Sequence, residues 1–175
     1  MTIAPYLKEI GRGKQGARSL TRDQAADLFG RVLDGQVSEL EVGAFCMAMR
    51  VKGETPQELA GFCDAAGARM ARAPATQRPV VVLPSYNGAR RLPVLTPLLA
   101  LLVAREGLPV LVHGHASEDT RVSTRAVLEH LSLTASPALG ALAEASVTYV
   151  DTQALLPGLA RLLDVRRAIG VRGSA

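Results

Sequence analysis

The spacing of the apolar residues changes at about residue 73, and this change constrains the fold more than any other feature. Before it, apolar residues recur every three or four positions behind Thr21, Ser38 and Thr55, which is typical of amphipathic helices. After it, short apolar runs alternate with apolar helices. The segment 73–79 contains two prolines and few apolar side chains, which indicates a linker. We therefore predict a helical domain over residues 1–72 and a second domain from residue 80.

Capping residues mark the ends of the helices in the first domain. Thr21 and Gln24 have the spacing of a capping box, in which each side chain accepts a backbone N–H of the other residue. Thr55 is a predicted N-cap, and Pro56 suits the first helical position because its φ is already fixed. Gly53 ends the preceding helix. The first domain is therefore predicted to be all helical.

The second domain alternates between strand and helix patterns. Such alternation implies parallel pairing through right-handed crossovers. The predicted strands are 80–83, 109–112 and 147–150, and the predicted helices are 96–105 and 121–131. The predicted fold class is α+α/β, in which a small N-terminal helical domain precedes the first βαβ units of a parallel-sheet α/β domain over residues 80–175.

Composition excludes several kinds of protein. Aromatic residues make up 3% of the chain and there is no Trp, which argues against a surface that stacks nucleic-acid bases. Cys46 and Cys63 lie within helical patterns and lack metal-ligand spacing. The longest apolar run, 94–104, is too short to span a bilayer. We expect a cytoplasmic protein with no membrane contact, no metal and no cofactor.

The net charge of +4 is unevenly distributed along the chain. Residues 1–22 carry five basic side chains against Glu9, and residues 161–175 carry four arginines against Asp164. The rest of the chain is close to balanced. Clustering of this kind points to a polyanionic partner.

The run from Ser19 to Gly61 resembles the N-terminal helical domain of the anthranilate and nucleoside phosphoribosyltransferase superfamily, glycosyltransferase family 3. Residues 108–114 are similar to the second strand of that family and its KHGNR loop. Residues 127–129 are similar to its VLE helix, and residues 165–172 to its VRRELGVR segment. The family continues about as far again, with further strands and an acidic pair that binds magnesium. The resemblance implies a partial α/β domain whose unfinished sheet edge needs a covering partner.

The stretches that bind the phosphoribosyl donor in this family differ in the present chain. The family's GTGGD turn brings backbone amides close to pyrophosphate. Its place is taken by Pro84, Ser85, Tyr86, Asn87 and Gly88, and a proline has no N–H to donate. The NIST motif becomes 94–97, which contains Thr96; KHGNR becomes 112–116, which contains His113 and Gly114; GSAD becomes 123–126. These replacements predict a degenerate donor site and no catalytic residues.

The segments IGRGK, PSYNGARR and VHGHASEDTRV resemble the YbiB-type branch of the superfamily. That resemblance implies a homodimeric protein that binds DNA without sequence specificity. Arginine suits such a role because its planar guanidinium matches phosphate oxygens. The candidate nucleic-acid contacts are Lys8, Arg12, Lys14, Arg18, Arg90, Arg91, Arg166, Arg167 and Arg172.

The N-terminal helices carry more apolar residues than three helices easily bury, namely Leu28, Val32, Leu40, Val42 and Phe45. In the family this surface pairs two subunits, so we expect a homodimer that binds the backbone of DNA or RNA through two basic surfaces. Two alternatives remain open. One is a magnesium-dependent phosphoribosyltransferase that acts on an unidentified acceptor. The other is a structural module that keeps only the dimerising helices.

Overall fold

The computed structural model describes residues 2–86, 92–115, 121–133, 139 and 146–170, with the exception of the Lys14 side chain. The chain forms two compact units. The helical unit comprises Met1–Met70 and Leu156–Ala175, and the α/β unit comprises Ala71–Leu155.

Helices and strands follow the order that the sequence predicts. Their bounds are α1 (Ala4–Ile10), α2 (Gly13–Gly16), α3 (Arg22–Leu33), α4 (Glu39–Lys52), α5 (Pro56–Arg69), β1 (Val81–Pro84), α6 (Thr96–Arg105), β2 (Val110–Gly114), α7 (Thr124–His130), β3 (Val147–Asp151), α8 (Thr152–Leu155) and α9 (Pro157–Ala168). None of the helices among these described residues is long and apolar enough to cross a membrane.

The long helices of the helical unit start at capping boxes. At the start of α3, the Thr21 side chain accepts the Gln24 N–H, and the Gln24 side chain accepts the Thr21 N–H. The same reciprocal arrangement occurs at Ser38 for α4 and at Thr55 for α5. Each box satisfies backbone donors that a helix start otherwise leaves unpaired. The predicted starts of these three helices are therefore confirmed.

The core of the helical unit is built around the three phenylalanines of the chain. Phe29 and Phe62 have ring centroids 5.0 Å apart, and Phe45 meets Phe62 edge to face at 6.0 Å. Ile10 and Leu28 are completely buried beside them. Since Ile10 ends α1, burial of this residue fixes the N-terminal helix to the rest of the unit.

Helix α9 packs with the helical unit, although the sequence assigns residues 80–175 to the α/β domain. Leu162 belongs to the same core cluster as Leu28. A Cβ added at Gly158 would lie 2.1 Å from the carbonyl oxygen of Leu33, so α9 approaches the end of α3 at backbone distance. The Arg161 guanidinium donates to the same carbonyl at 2.8 Å. The domain boundary differs from the prediction because these contacts join residues far apart in sequence.

The α/β unit contains a parallel sheet of strand order β1-β2-β3 in the described residues. Val81 pairs with Val110, and Val110 pairs with Val147. One face of the sheet packs against Ala100 of α6 and Leu128 of α7. Strands, crossover helices and parallel pairing all confirm the predicted fold class.

Candidate functional site

The carboxyl ends of the three strands meet at one edge of the sheet. β1 ends at Pro84, β2 at Gly114 and β3 at Asp151. Pro84 lies beside His113, and Gly114 lies beside Asp151. This is the edge at which parallel α/β sheets bind ligands. The described donor-site positions that follow β1 and end β2 are therefore brought together, and we call this group of residues the sheet-edge site.

Gly114 permits a close backbone approach in the sheet-edge site. A Cβ at this position would lie 2.1 Å from the carbonyl oxygen of Ser85, so a larger residue would push the β1 and β2 ends apart. The Ser85 N–H donates to the His113 carbonyl at 2.7 Å. The Ser85 hydroxyl lies 2.6 Å from the hydroxyl of Thr124, which is buried at the start of α7. The N–H and the hydroxyl of Ser85 are thus both engaged within the site.

Tyr86 and His113 form a second pair in the site. The Tyr86 hydroxyl lies 3.0 Å from His113 Nδ1, and the two rings meet edge to face at a centroid distance of 5.5 Å. Burial lowers the pKa of His113, which favours the neutral imidazole. In the tautomer whose Nδ1 carries no proton, this nitrogen accepts a hydrogen bond from the Tyr86 hydroxyl. Tyr86 therefore places its aromatic side chain against His113 at the sheet-edge site.

Asp151 is the carboxylate of the site. Its Oδ1 lies 3.9 Å from His115 Nδ1 and accepts the Gln153 N–H at 2.9 Å. Its Oδ2 lies 3.5 Å from an Arg125 guanidinium nitrogen, and Arg125 also donates to Glu129 at 2.8 Å. The guanidinium therefore bridges a strand end and a helix across the sheet-edge site.

Tyr149 is buried beneath this group. Burial, followed by the charge of the Asp151 carboxylate, raises the pKa of Tyr149 to about 12, while Arg125 opposes the rise. The Tyr149 hydroxyl lies 3.4 Å from the point where a Cβ at Gly114 would be. The phenol stays protonated near neutral pH, and its O–H can serve as a hydrogen-bond donor.

The remaining donor-site positions are only partly described. Thr96 is the first residue of α6 and is half-buried. Asn87, Gly88, Arg90 and Arg91 lie outside the described residues. The roles predicted for these positions stay predictions.

The first basic group lies on α1 and the segment after it. Lys8, Arg12 and Arg18 are exposed, and 71% of the Arg18 side chain is open to solvent. Glu9 pairs with Arg12 at 3.0 Å and lies 3.9 Å from Arg18. The Arg18 N–H donates to the Glu9 carbonyl at 2.9 Å, which orders the segment. One carboxylate thus only partly offsets the positive charge of the group.

The second basic group lies in the last turn of α9. Arg167 is exposed and Arg166 is half-buried. Burial raises the pKa of the Cys46 thiol, and the charge of Arg166 partly opposes that rise. Arg166 therefore lies near α4, which carries Cys46. Arg172 and the Lys14 side chain lie outside the described part of the chain.

Most of the apolar residues expected at a dimer surface are buried within the helical unit. Leu28, Val32, Val42 and Phe45 belong to its core cluster. The expectation that these four lie at a dimer surface is wrong, since α1 and α9 help to bury them in the same cluster. Leu40 is different, because 84% of it is exposed.

The described residues contain no group of three or more His, Cys, Asp and Glu that could hold a metal ion. Residues 116–120, which include Glu118 and Asp119, lie outside the described part of the chain. The sheet-edge site therefore offers a hydrogen-bonding surface with one bridged carboxylate.

Known proteins resemble this chain in sequence. Residues 4–70 match the helical bundle domain of the glycosyl transferase family. The uncharacterized protein YbiB of Escherichia coli K12 is 41% identical over 181 residues, covering 100% of this chain and 57% of that protein. The anthranilate phosphoribosyltransferase of Methylobacterium radiotolerans is 31% identical over 175 residues, covering 98% of this chain and 50% of the enzyme. This chain belongs to the anthranilate phosphoribosyltransferase superfamily.

Solved members of the anthranilate phosphoribosyltransferase superfamily share the fold. The Thermus thermophilus enzyme superposes with a TM-score of 0.75 at 22% identity, covering 95% of this chain and 51% of that one. The Saccharomyces cerevisiae enzyme in complex with PRPP and Mg gives 0.66 at 14% identity, covering 97% and 51%. The chain spans about half the length of the curated relatives it matches.

Motif comparison with the anthranilate phosphoribosyltransferase superfamily identifies the β1 and β2 ends and residues 123–126, which include Arg125, but not Asp151 or Tyr149. A signal for Asp151 is present in the sequence, because it directly follows a predicted buried strand. The contact of Arg125 with Asp151 depends on how α7 packs beside β3. Motif comparison therefore identifies positions, but the partners of those positions come from the structure.

Proposed function

We propose that this chain binds nucleic acid through phosphate contacts, with little preference for sequence. The observation that carries the proposal is the exposed basic group on α1 and its following segment. Lys8, Arg12 and Arg18 stand there against the single carboxylate of Glu9. Phosphate contacts of this kind supply most of the affinity of nonspecific binding. The 41% identity to YbiB fits the resemblance to the YbiB-type branch.

The packing of the helices that carry the basic side chains supports the proposal. α1, α2 and α9 all pack on α4, so both basic groups belong to one ordered unit. Glu41 on α4 accepts hydrogen bonds from the Thr2 hydroxyl and the Ile3 N–H, which ties down the chain just before α1. Charged groups that are already ordered lose less conformational entropy when they bind a backbone.

The rewritten sheet-edge site argues for binding over catalysis. Pro84 has no N–H, and the Ser85 N–H is already bonded to the His113 carbonyl. Tyr86 is paired with His113. A pyrophosphate at this turn would have to displace these contacts. The low aromatic content of the chain also favours contacts to phosphates over stacking on bases.

Phosphoribosyl transfer to an unidentified acceptor is the second candidate. It is favoured by the 31% identity to the Methylobacterium radiotolerans anthranilate phosphoribosyltransferase. In that case magnesium would accompany the donor. This candidate requires the sheet-edge site to accept a phosphorylated ligand, so it predicts saturable binding of phosphoribosyl pyrophosphate.

We also propose that the protein pairs with a second copy through its N-terminal helices. Leu40, Met47 and Val51 are exposed on α4 and follow one another at helical spacing. Two basic surfaces on one dimer would raise avidity for a long polymer.

The test is fluorescence anisotropy of a labelled duplex titrated with this chain at two salt concentrations. We expect an affinity that falls steeply with salt and is equal for a scrambled duplex, with a slope that reports the number of phosphate contacts. Arg12→Gln with Arg18→Gln should lower that slope by about one to two units. Arg72→Gln is the control, because Arg72 is exposed but outside both basic groups.

Three outcomes decide between the candidates. A lower affinity and a lower salt slope in the Arg12 and Arg18 variant, but not in the Arg72 variant, support the proposal. Absence of binding at low salt refutes it. Magnesium-dependent binding of phosphoribosyl pyrophosphate, with pyrophosphate released when an acceptor is added, would instead support transferase activity.

A further inference from the structure

Glu9 lies between two of the candidate nucleic-acid contacts. Its Oε1 accepts a hydrogen bond from Arg12 Nη2 at 3.0 Å, and its Oε2 lies 3.9 Å from Arg18 Nη1. Each carboxylate oxygen therefore faces a different guanidinium. A phosphodiester also presents two charged oxygens on one atom, and guanidinium groups bind carboxylates and phosphates with similar geometry. A carboxylate of the protein thus occupies a place that suits a backbone phosphate.

Backbone contacts bring these three side chains together. The segment that carries both arginines is anchored at its two ends by Ile10 and Leu20, which are 1% and 3% exposed in the core of the helical unit. Between these anchors the chain turns at Gly13, whose φ of +76° favours glycine. It then folds back on α1, where the Arg18 N–H donates to the Glu9 carbonyl at 2.9 Å. The arrangement is therefore built into the fold of the segment.

The two arginines are held to different extents. Arg12 also donates from Nε to the Lys8 carbonyl at 2.9 Å, so two of its nitrogens bond to residues of α1. Arg18 lies beyond hydrogen-bond distance of the carboxylate, and 71% of its side chain is exposed. An ion pair this exposed contributes little to stability, because water screens both charges. Exchange of the Glu9 carboxylate for another anion therefore costs the folded protein little.

A nucleic-acid backbone has an advantage over this carboxylate. Phosphates that follow one another along the polymer can contact the exposed Lys8 together with the two arginines, and each contact releases counterions from the polymer. Glu9 supplies a single carboxylate and releases no counterion. The backbone can therefore displace Glu9, but the loss of the Glu9 contacts reduces the net affinity.

We propose that Glu9 is an internal competitor of nucleic acid for Arg12 and Arg18. In the free protein its carboxylate neutralises part of the charge of the two arginines, and it leaves them when a backbone phosphate binds there. This inference rests on the proposed nucleic-acid binding and adds to it a restraint on the affinity. The opposite interpretation, in which Glu9 holds the arginines in place for the phosphate, predicts effects of opposite sign.

The affinity of the Glu9→Gln variant for the labelled duplex tests the proposal. Glutamine keeps the length of the side chain and an oxygen that can accept from Arg12, but it lacks the charge. We expect the affinity to rise by about threefold to tenfold at low salt, which is the effect of one charge close to a guanidinium at a protein surface. Glu9→Ala should also raise the affinity, because alanine does not compete for the arginines. Circular dichroism checks that each variant is folded.

Glu54→Gln provides the matched control. Glu54 is exposed, belongs to the same helical unit and lies outside α1, so its substitution changes the net charge of the protein equally. The affinity should change by less than about twofold, because salt screens charges that lie outside the contact. A second control introduces Glu9→Gln into the variant that lacks both Arg12 and Arg18. Without the arginines, removal of the carboxylate should again change the affinity by less than about twofold.

The outcomes separate this proposal from the proposed nucleic-acid binding. A gain in affinity that is specific to the Glu9 variants and requires the arginines supports it. Duplex binding that is equal or weaker in Glu9→Gln overturns it and leaves the proposed nucleic-acid binding intact. An equal gain in Glu54→Gln, or a gain that persists without the arginines, also overturns it, because net charge then explains the effect. Absence of duplex binding in both the unaltered chain and Glu9→Gln refutes the nucleic-acid binding and this inference with it.

Discussion

The helical unit and the α/β unit differ in how completely each satisfies its own residues. In the helical unit even a charged group is buried and paired: Glu58 has no exposed surface, and Lys52 Nζ lies 2.7 Å from its Oε2. The same carboxylate accepts the Leu20 and Thr55 N–H groups at 2.9 Å. In the α/β unit, by contrast, leucines of α6 remain exposed. The first unit pairs its buried charge within itself, whereas the second leaves most of the leucines of one helix exposed.

This difference follows from the two architectures. Helices satisfy their backbone groups within themselves, and caps complete their ends. A parallel sheet pairs strands that are distant in sequence and needs cover on both faces. Each helix can therefore form within a short length of chain, although α9 joins the helical unit from far along the sequence, whereas every strand pair of the sheet depends on distant contacts. Three sets of variants and one pH dependence test this difference.

The largest effect is expected at Glu58. Glu58→Ala leaves Lys52 buried without its partner and removes the acceptor for Leu20, so the helical unit should lose about 3–5 kcal/mol. Urea unfolding followed by circular dichroism measures the loss. Glu54→Ala removes the same charge from an exposed neighbouring position and should cost under about 0.5 kcal/mol. Equal small losses in both variants would show that the buried pair does not hold the unit together.

A smaller effect is expected at the contact between α3 and α5. A Cβ at Gly61 would lie 2.2 Å from the carbonyl oxygen of Arg22, so Gly61→Ala must separate the helices and should cost about 1–3 kcal/mol. Gly67 lies on the same helix with no atom within 4 Å of an added Cβ. Gly67→Ala should therefore raise the free energy of unfolding by about 0.5–1 kcal/mol. Thermal unfolding of the two variants compares them, and a gain in both would contradict close packing at Gly61.

The contrast between the units also explains which elements could be predicted from sequence. The starts of α3, α4 and α5 were predictable because a capping box lies within four consecutive residues, as at Thr21 and Gln24. The place of α9 was not, because it depends on Gly158 and Arg161 meeting Leu33. Short sequence patterns therefore predict where helices start, whereas tertiary packing determines which elements contact one another.

The candidate site also has features that the sequence predicts and contacts that it does not. Parallel pairing predicted that the β1 and β2 ends would lie at one edge, and Pro84 does lie beside His113. The Tyr86–His113 pair and the Arg125–Asp151 bridge could not be predicted, since each depends on the register of strands and the placement of α7. Motif comparison identified positions in the site, but the present contacts of those positions required the structure.

Acid should loosen the α/β unit before the helical unit. Burial lowers the pKa of His113 below its ordinary 6.5, so the unfolded chain takes up a proton first and stability falls as the pH drops below 6.5. In the helical unit, hydrogen bonds from Thr2 and Ser38 lower the pKa of Glu41 from 4.5 to about 2. Stability from this carboxylate is complete above pH 4.5 and is lost only as the pH falls towards 2.

Hydrogen exchange read by mass spectrometry, corrected for intrinsic rates, tests this order between pH 6.5 and 4.5. Protection of β2 should fall in this range while protection of α3 and α4 persists. His113→Gln should remove the early loss, because glutamine does not titrate. Earlier loss of protection in the helices would reverse the predicted order.

The smallest effect is expected at Tyr149, and it tests whether the interior of the α/β unit is dry despite its uncovered helix. If water reached the phenol through the uncovered side, the Tyr149 pKa would lie near 10; burial instead raises it to about 12. A rapid alkaline pH jump followed by tyrosinate absorbance should therefore show a late ionisation step that Tyr149→Phe removes. The variant should change the free energy of unfolding by under about 0.5 kcal/mol, because the ring stays in place. A late step that persists in the variant would assign it to another tyrosine, whereas no late step in either protein would mean that water enters the core beneath α6.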